Sequence, residues 1–537
     1  MIEAEYQVAI IGAGPCGATT ANFLGRQGIK TLLIDKEAAV SPIPRAIGIC
    51  DEGTRILGAA GLLNKIKEQV CPIDRMYFNN ADQERVLFAD TSVEINGHQM
   101  LSTFYQPQLE TDLREALGAY PNVDFFTETE LLEFEDRSDS VHLELRQGDI
   151  VFKTRCRFLL ACDGARSPVR KALGIRFTGK TYRQDWIVLD AASSPVPADH
   201  AAFTINPARP SITLPAPGGK RRWEFVVKEG ENGEDLLQRE RIDELLRPWG
   251  GLEKNQLERK AVYTFHARVA EKFRQGNVFL LGDAAHITPP FAGQGMMAGL
   301  RDSQNLCWKI AAVLNQQVSE AILDTYDTER IPQARQVIGF AQRMGDIILP
   351  QRRWLAALRD WLIKSLELLN VHSEDKGFPM HKIPDHINGG LLRHFWINRV
   401  FRRGISLPQH RVCKPGGELA LIDEFLDSKF YLLGWNVDPL QSLSQFNRER
   451  WRDFGGESLI LKAGSAAVAA DSGLIDRQDS YGDLFRGGKH VLLIRPDKMI
   501  AVNCSKSKIN KYLSDYMQHL GATGSDQGVA TEVIHAG

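Results

Sequence analysis

Several features that would define other classes of protein are missing or scarce in this chain. Only eight cysteines are spread over 537 residues, and none forms a C-x-x-C pair. That excludes a zinc ribbon or dithiol redox centre and predicts free thiols in a reducing compartment. No window of ~18 uninterrupted apolar residues occurs, so no spanning helix and no membrane partner are expected. The N-terminus enters the strand-like run "YQVAIIGAG" without a basic n-region or a separate apolar h-region. No signal peptide is therefore expected, and the predicted location is cytoplasmic. Charge is also nearly absent in the net: 65 basic against 67 acidic residues leave −2. Nothing in that balance calls for a nucleic-acid partner. What remains is an ordinary globular composition, 43% apolar and 25% charged, with enough length for two or three domains.

The first positive signal is "VAIIGAGPCGATTANFLGRQGIKTLLIDK", which reads as strand, tight turn, helix and strand. Gly12, Gly14 and Gly17 form G-x-G-x-x-G. The first glycine permits the turn, the second lets backbone approach a pyrophosphate, and the third lets the helix pack on the strand. Pro15 suits the first helical turn. Asp35 falls at the end of the second strand, where an acid meets a ribose hydroxyl. These features predict a dinucleotide site in an α/β domain and leave NAD and FAD both open.

Two further stretches combine a strand with a carboxylate. "FLLACDGARSPVRKALGI" ends its strand at Asp163-Gly164, and "VFLLGDAAHITPPFAGQGMMAGLRD" ends its strand at Gly282-Asp283 before a Pro-Pro pair and a helix. Arg45 stands in the loop "SPIPRAIGIC". With these three fingerprints in this order, the chain resembles a class A flavoprotein aromatic hydroxylase of the para-hydroxybenzoate hydroxylase and phenol hydroxylase kind. "PRAIGI", "YQPQLE", "RRWEF", "VYTFHARVAEKFR", "GDAAHITP", "GQG" and "LLGW" are most similar to the 3-(3-hydroxyphenyl)propionate hydroxylase group.

The resemblance implies tightly but noncovalently bound FAD, NADH or NADPH as co-substrate, and O2. The implied reaction is hydroxylation of a small phenolic substrate ortho to its hydroxyl, through a flavin C4a-hydroperoxide. It also assigns residues. The cofactor set is Gly12, Ala13, Gly14, Pro15, Cys16, Gly17, Asp35, Lys36, Arg45, Gln106, Asp163, Gly164, Gly282, Asp283, Pro290, Gly293, Gly295, Met296 and Met297. Met297 stands where the family often has Asn. Arg209, Trp223, Tyr263, Pro289 and Pro290 are candidates against the substrate, and Pro290 and Tyr263 are the catalytic candidates, with no acid or base assigned. The prolines lack N–H groups, so their carbonyls are free to face a substrate hydroxyl. The helix after Gly295 aims its positive N-terminal end at reduced flavin. His286 is read as structural, Arg221 and Arg222 as solvated, and the loop around Gly48 as free to shift.

The implied architecture is α/β (α+β overall). A Rossmann-like FAD domain spans 1–177 and 271–350, interrupted by a β-rich substrate domain at 178–270. A helical linker follows at 351–410, with "QRRW" and "FRRG" as solvated basic clusters, then a thioredoxin-like domain at 411–537 without C-x-x-C. Its thiols Cys413 and Cys504 are far apart in sequence, so packing or oligomer contact is expected of it, leaving a homodimer open. Competing functions are a tailoring monooxygenase on a larger polyketide or heteroaromatic, and a flavin-binding sensor or scaffold without turnover. A halogenase is disfavoured by the missing W-x-W-x-I-P.

Overall fold

The computed structural model describes residues 5–348 except 81 and 207, together with 378–379, 391, 404–464 and 473–521. Nearly all of the expected 351–410 linker, including "QRRW", and most of "FRRG" lie outside the described residues. The chain divides into two compact units: Met1–Gln304 with Ile331–Pro384, and Asn305–Arg330 with Asp385–Gly537. Among the described residues no helix is long and apolar enough to cross a membrane.

The first unit begins with β1 (Glu5–Ile11), α1 (Pro15–Arg26) and β2 (Thr31–Ile34). β1 is buried along most of its length, as parallel strands covered on both faces are. It pairs in parallel with β2 on one side and with β8 (Ile150–Ala161) on the other. β5 (Val123–Phe126) extends the parallel sheet beyond β2, and β14 (Val278–Leu280) extends it beside β8. β6 (Thr129–Asp136) and β7 (Val141–Gln147) add an antiparallel flank through β8. The carboxyl ends of β1, β8 and β14 therefore lie side by side, and each leads into one of the three glycine-containing motifs.

A second sheet stands in the same unit. Its strands in order are β15 (His286–Ile287), β13 (Gln256–Ala270), β9 (Phe177–Ser193), β12 (Lys220–Val226), β11 (Ser211–Ala216), β10 (Ala201–Thr204), β3 (Arg75–Asn79), β4 (Arg85–Asp90) and β16 (Phe378–Pro379). β11 and β12 form the hairpin expected from "ITLPAPGGKRRWEFVV", with Gly218 and Gly219 both at positive φ in its turn. Alternation along β12 divides the two faces of the sheet. Trp223 and Phe225 join Ile187 and Leu189 in a core under α4 (Arg239–Leu246). Val226 faces the other way, into a cluster with Trp186 and Phe291.

In the second unit, β17 (Tyr431–Trp435), α7 (Gln445–Asp453) and β18 (Glu457–Ala463) make a parallel β-α-β unit. β19 (Leu474–Asp476) continues it, and the antiparallel pair β20 (Val491–Ile494) and β21 (Ile500–Cys504) precedes α8 (Ile509–His519). The sheet order is β19-β18-β17-β20-β21.

Candidate active site

The turn after β1 is built from its glycines. Gly12 has φ +97°, and a Cβ there would lie 2.5 Å from the Cys162 carbonyl oxygen. A Cβ on Gly17 would fall 1.8 Å from the Gly12 oxygen. A Cβ on Gly14 would meet no atom within 4 Å, so its backbone faces open space. α1 starts there with no side-chain cap and no acid in its first turn, leaving amides and a positive dipole end for an anion. Pro15 occupies the helix start, and the Cys16 thiol packs inward, 3.4 Å from the Gly299 oxygen.

Asp35 accepts from the Ala13 amide at 2.8 Å and from the Glu37 amide at 2.9 Å. Arg114, not singled out from the sequence, bonds Asp35 at 3.1 Å and the Ala13 carbonyl at 3.1 Å. Its signal was weak, a lone arginine in the last turn of α3 (Gln106–Ala116). Lys36 is exposed beside Glu37.

The loop carrying Arg45 is tied down from two sides. The Gln106 side-chain oxygen accepts from the Arg45 and Ala46 amides at 2.8 and 2.6 Å, and its amide nitrogen donates to Glu110 at 2.6 Å. From the second sheet, Arg222 donates to the carbonyls of Pro44 at 2.6 Å and Arg45 at 3.0 Å, and Arg259 donates to Pro44 at 2.8 Å. Asp190 holds both guanidinium groups, at 2.6 Å from Arg222 and 2.9 Å from Arg259. The expectation of solvated arginines is thus overturned: Arg221 and Arg222 are each 2% exposed. Arg221 is spent on the carbonyls of His200 and Pro197 and the Thr213 hydroxyl, and burial pushes its pKa down to about 10. The free loop expected near Gly48 is likewise bonded at residues 44–46.

After β8, Asp163 accepts from the Val169 amide through one oxygen, while its buried Oδ1 has no hydrogen-bond partner among the described residues. Burial raises its pKa above the usual carboxylate value, against hydrogen bonds from Ser167 and Val169. Gly164 follows at φ +79°. After β14, Gly282 sits at φ +58° and its amide donates to Asp302 at 2.9 Å. His286, 1% exposed, lies 2.7 Å from the same Asp302 oxygen. His286 and Asp302 therefore brace the turn from beneath. Asp283 opens toward the cleft, and the protein packed around it still raises its pKa, opposed by His286 and Arg45.

Pro289 is extended, and Pro290 starts a short turn that closes with the Gly293 amide donating to the Pro290 carbonyl at 2.8 Å. That carbonyl thus already accepts one hydrogen bond. α5 (Gly295–Leu314) begins two residues on, with Gly295 and Met296 half-buried at its first turn. Met297 is 1% exposed, and a Cβ on Gly53 of α2 (Asp51–Ala59) would lie 2.3 Å from its sulfur. Its side chain is core, so only its backbone is left to face a ring.

Of the substrate candidates, Tyr263 lies on the sheet face that holds Trp186, hydrogen-bonded to Arg259. Arg209 is committed to Glu231 at 2.5 Å and the Val226 carbonyl at 2.8 Å. Trp223 is fully buried on the opposite face, in the core with Leu246 and Phe225. Strand alternation puts it there, one residue out of step with the face that looks into the cleft.

Three strand ends, an uncapped helix start, an open glycine and two carboxylates with raised pKa values converge on one cleft. The orphaned Asp163 oxygen and the bare amides at Gly14 match a flavin dinucleotide's hydroxyls and pyrophosphate. Fold and site together define an FAD-dependent aromatic hydroxylase, a monooxygenase and oxidoreductase. The chain matches the family model described as FAD binding domain over residues 5–341, and the one described as HcaD C-terminal domain over 404–519. It is 32% identical to the 3-(3-hydroxy-phenyl)propionate/3-hydroxycinnamic acid hydroxylase of Escherichia coli strain K12, across 99% of this chain and 97% of that protein. The chain belongs to this family of FAD-binding aromatic hydroxylases. Among solved structures it is similar to aklavinone-11 hydroxylase in complex with FAD and aklavinone, with a TM-score of 0.77 at 20% identity over 97% of this chain and 100% of that one. It is also similar to the flavin-dependent monooxygenase PieE in complex with FAD and substrate, with a TM-score of 0.77 at 20% identity over 96% and 99%. At that identity these two speak for the fold.

Proposed function

We propose that the chain hydroxylates a small phenol of the 3-(3-hydroxyphenyl)propionate type, ortho to its ring hydroxyl, with NADH or NADPH as reductant. What carries this reading is the similarity to the Escherichia coli hydroxylase, which runs nearly end to end in both chains. The cleft supports it. Its sheet face offers Trp186, Tyr263, Phe265 and Val226 as largely apolar walls. All eight cysteines are free, which suits a cytoplasmic enzyme.

In this reading the bare amides at Gly14, Cys16 and Gly17 hold the pyrophosphate, with Pro15 starting the helix and Gly12 and Ala13 shaping the turn. Asp35, fixed by Arg114, takes a ribose hydroxyl, and Lys36 borders it from solvent. Arg45 completes the pyrophosphate site on a loop held by Gln106 and Arg222. Asp163, Gly164, Gly282 and Asp283 meet the ribityl chain, and Gly293, Gly295, Met296 and Met297 present backbone to the ring. Bound FAD supplies hydride acceptance and O2 activation. The chain's own part is to orient the phenol, exclude water and handle the proton of its hydroxyl. Pro289 and Pro290 and the sheet face enclose the phenol. The second unit, with its β-α-β unit and hairpin in the order β19-β18-β17-β20-β21, reads as a thioredoxin-like module without a thiol pair.

The test is a screen of phenolic acids for stimulated NAD(P)H oxidation by the yellow holoenzyme, with product mass. A gain of one oxygen on 3-(3-hydroxyphenyl)propionate is expected. Flavin binding without any stimulated oxidation would favour a sensor or scaffold instead.

A further inference from the structure

Along the inner face of β12, Arg222, Glu224 and Val226 alternate with the buried Arg221, Trp223 and Phe225. The two neighbours of Glu224 on this face are placed by their contacts. Arg222 reaches the carbonyls of Pro44 and Arg45, and Val226 joins Phe291, the residue after Pro290. Glu224 therefore points into the space between the Arg45 loop and the Pro290 turn. Across the sheet its register partners are Val188 on β9 and Ile212 on β11, and Val188 in turn faces Ala261 on β13. A carboxylate has been set into an otherwise apolar row.

That row lies between one of charge and one of aromatics. On one side Arg222, Asp190 and Arg259 satisfy each other and the loop carbonyls. On the other, Trp186 and Tyr263 face each other across the strands. Arg222 comes no nearer to Glu224 than 3.8 Å, beyond hydrogen-bond reach. Among the described residues, none donates a hydrogen bond to the Glu224 carboxylate. A carboxylate only 13% exposed and without a hydrogen-bond donor is costly, and such groups are commonly kept for a ligand.

We infer that Glu224 is the acceptor for the substrate's hydroxyl: it takes the hydrogen bond of a phenolic O–H and can accept that proton, while repelling any substrate carboxylate from the inner sheet face. This rests on the phenol-hydroxylating reading above. In the proton step the phenol O–H bond breaks and a Glu224 O–H bond forms. The electron pair stays on the phenol oxygen and is shared into the ring, enriching the ortho carbon. Burial raises the Glu224 pKa, with Asp190 adding to the rise and Arg222 and Arg259 opposing it. The rise makes it a better proton acceptor than an exposed carboxylate.

The experiment measures binding of 3-(3-hydroxyphenyl)propionate and of its methyl ether to the holoenzyme, by perturbation of flavin absorbance. Wild type, Glu224→Gln and Glu224→Leu are compared, with FAD content as the check on folding. Wild type is expected to prefer the phenol about tenfold or more, Glu224→Gln clearly less, and Glu224→Leu not at all. If the variants lose FAD, wild type alone decides: the preference should shrink as pH falls and Glu224 protonates. A preference unchanged in folded variants, or flat with pH in wild type, overturns the proposal and leaves a backbone carbonyl such as that of Pro290 as the acceptor. Turnover is measured separately. A wild type that binds the phenol but never oxidises NAD(P)H with it defeats the functional reading and leaves the Glu224 result standing.

Discussion

In the second unit Glu329 sits at 0% exposure between two cations, Lys309 at 2.9 Å and Arg495 at 2.9 Å, with Asn305 donating at 2.7 Å. Arg495 also binds Asp497, which accepts from the Trp308 indole at 3.2 Å. In the cleft of the first unit the Glu224 side chain is 13% exposed, and its neighbouring cations are occupied elsewhere. The outcomes are opposite. Glu329 is held far below the usual carboxylate range, because two bonded cations outweigh the cost of burial. At Glu224, Asp163 and Asp283 the desolvation by surrounding protein outweighs the nearby cations and hydrogen bonds, even though Asp283 opens to the cleft, and their pKa values rise. Saturated charge marks a place where the fold is fixed; unsatisfied charge marks a place where something else binds.

The largest expected effect follows from the saturated cluster. Glu329→Gln leaves Lys309 and Arg495 buried with too little compensation, and should lower stability by about 3–5 kcal/mol. The loss should also depend on pH. A depressed carboxylate contributes stability that is present above its ordinary pKa of 4.5 and lost as pH falls through the lower folded value. The gap between wild type and variant in thermal melts should stay flat from neutral pH to about 4.5 and narrow below it. A gap that is small at neutral pH would break the comparison.

The cleft should respond in ligand affinity instead. Asp283→Ala should weaken FAD about tenfold or more, the scale of one charged hydrogen bond, with little change in melting of the FAD-free protein. His286→Gln should do the reverse, since His286 touches Asp302 beneath the turn and not the cleft. Flavin titration and melting of both variants check this; equal losses of FAD would undo the separation.

A smaller effect concerns the tied loop. Its amides hang on Gln106 and its carbonyls on Arg222 and Arg259, so a phenol seated on the same sheet face can influence it. Reduction by NAD(P)H should be at least roughly tenfold faster with the phenol bound, equivalent to ~1.4 kcal/mol. The analogue lacking the hydroxyl should accelerate it little. Stopped-flow traces of equal rate with and without phenol would remove the gate and leave FAD binding untouched.

How legible was this in the sequence? The glycine turns, the strand-end acids and the β11–β12 hairpin were readable because each depends on local chemistry: a positive φ, a helix start, a two-glycine turn. The second unit's strands showed as apolar runs such as "YLLGW" and "VLLI". What could not be read was pairing at long range. Arg222 looks like a surface charge until Asp190, 32 residues away, and Pro44, 178 residues away, are brought to it. Trp223 looked like a pocket wall because aromatic strand residues are ambiguous in face until a partner fixes the register. Glu224 inside "RRWEF" carries the same ambiguity of face. Charged residues alternating through a strand flanked by buried apolar neighbours are the signal that would have found it.

The smallest effect expected is none on turnover. The Cys413 thiol is fully buried and donates to the Ile475 carbonyl at 3.9 Å. Cys504 ends β21, and burial pushes its pKa up to about 12. A thiol with so high a pKa is almost never a thiolate near neutrality, so it is a poor nucleophile and a poor redox partner. Cys504 lies on β21 and Cys413 bridges Ile475 of β19, and both side chains act as small apolar filling. Cys413→Ser and Cys504→Ser each bury a hydroxyl where sulfur packed, which should lower the melting temperature by a few degrees at a cost of about 1–3 kcal/mol. Turnover per bound flavin should stay at the wild-type value. Loss of turnover in a folded, FAD-loaded Cys504→Ser enzyme would mean that the second unit takes part in the chemistry, and the division between a fixed region and a binding region would fail there.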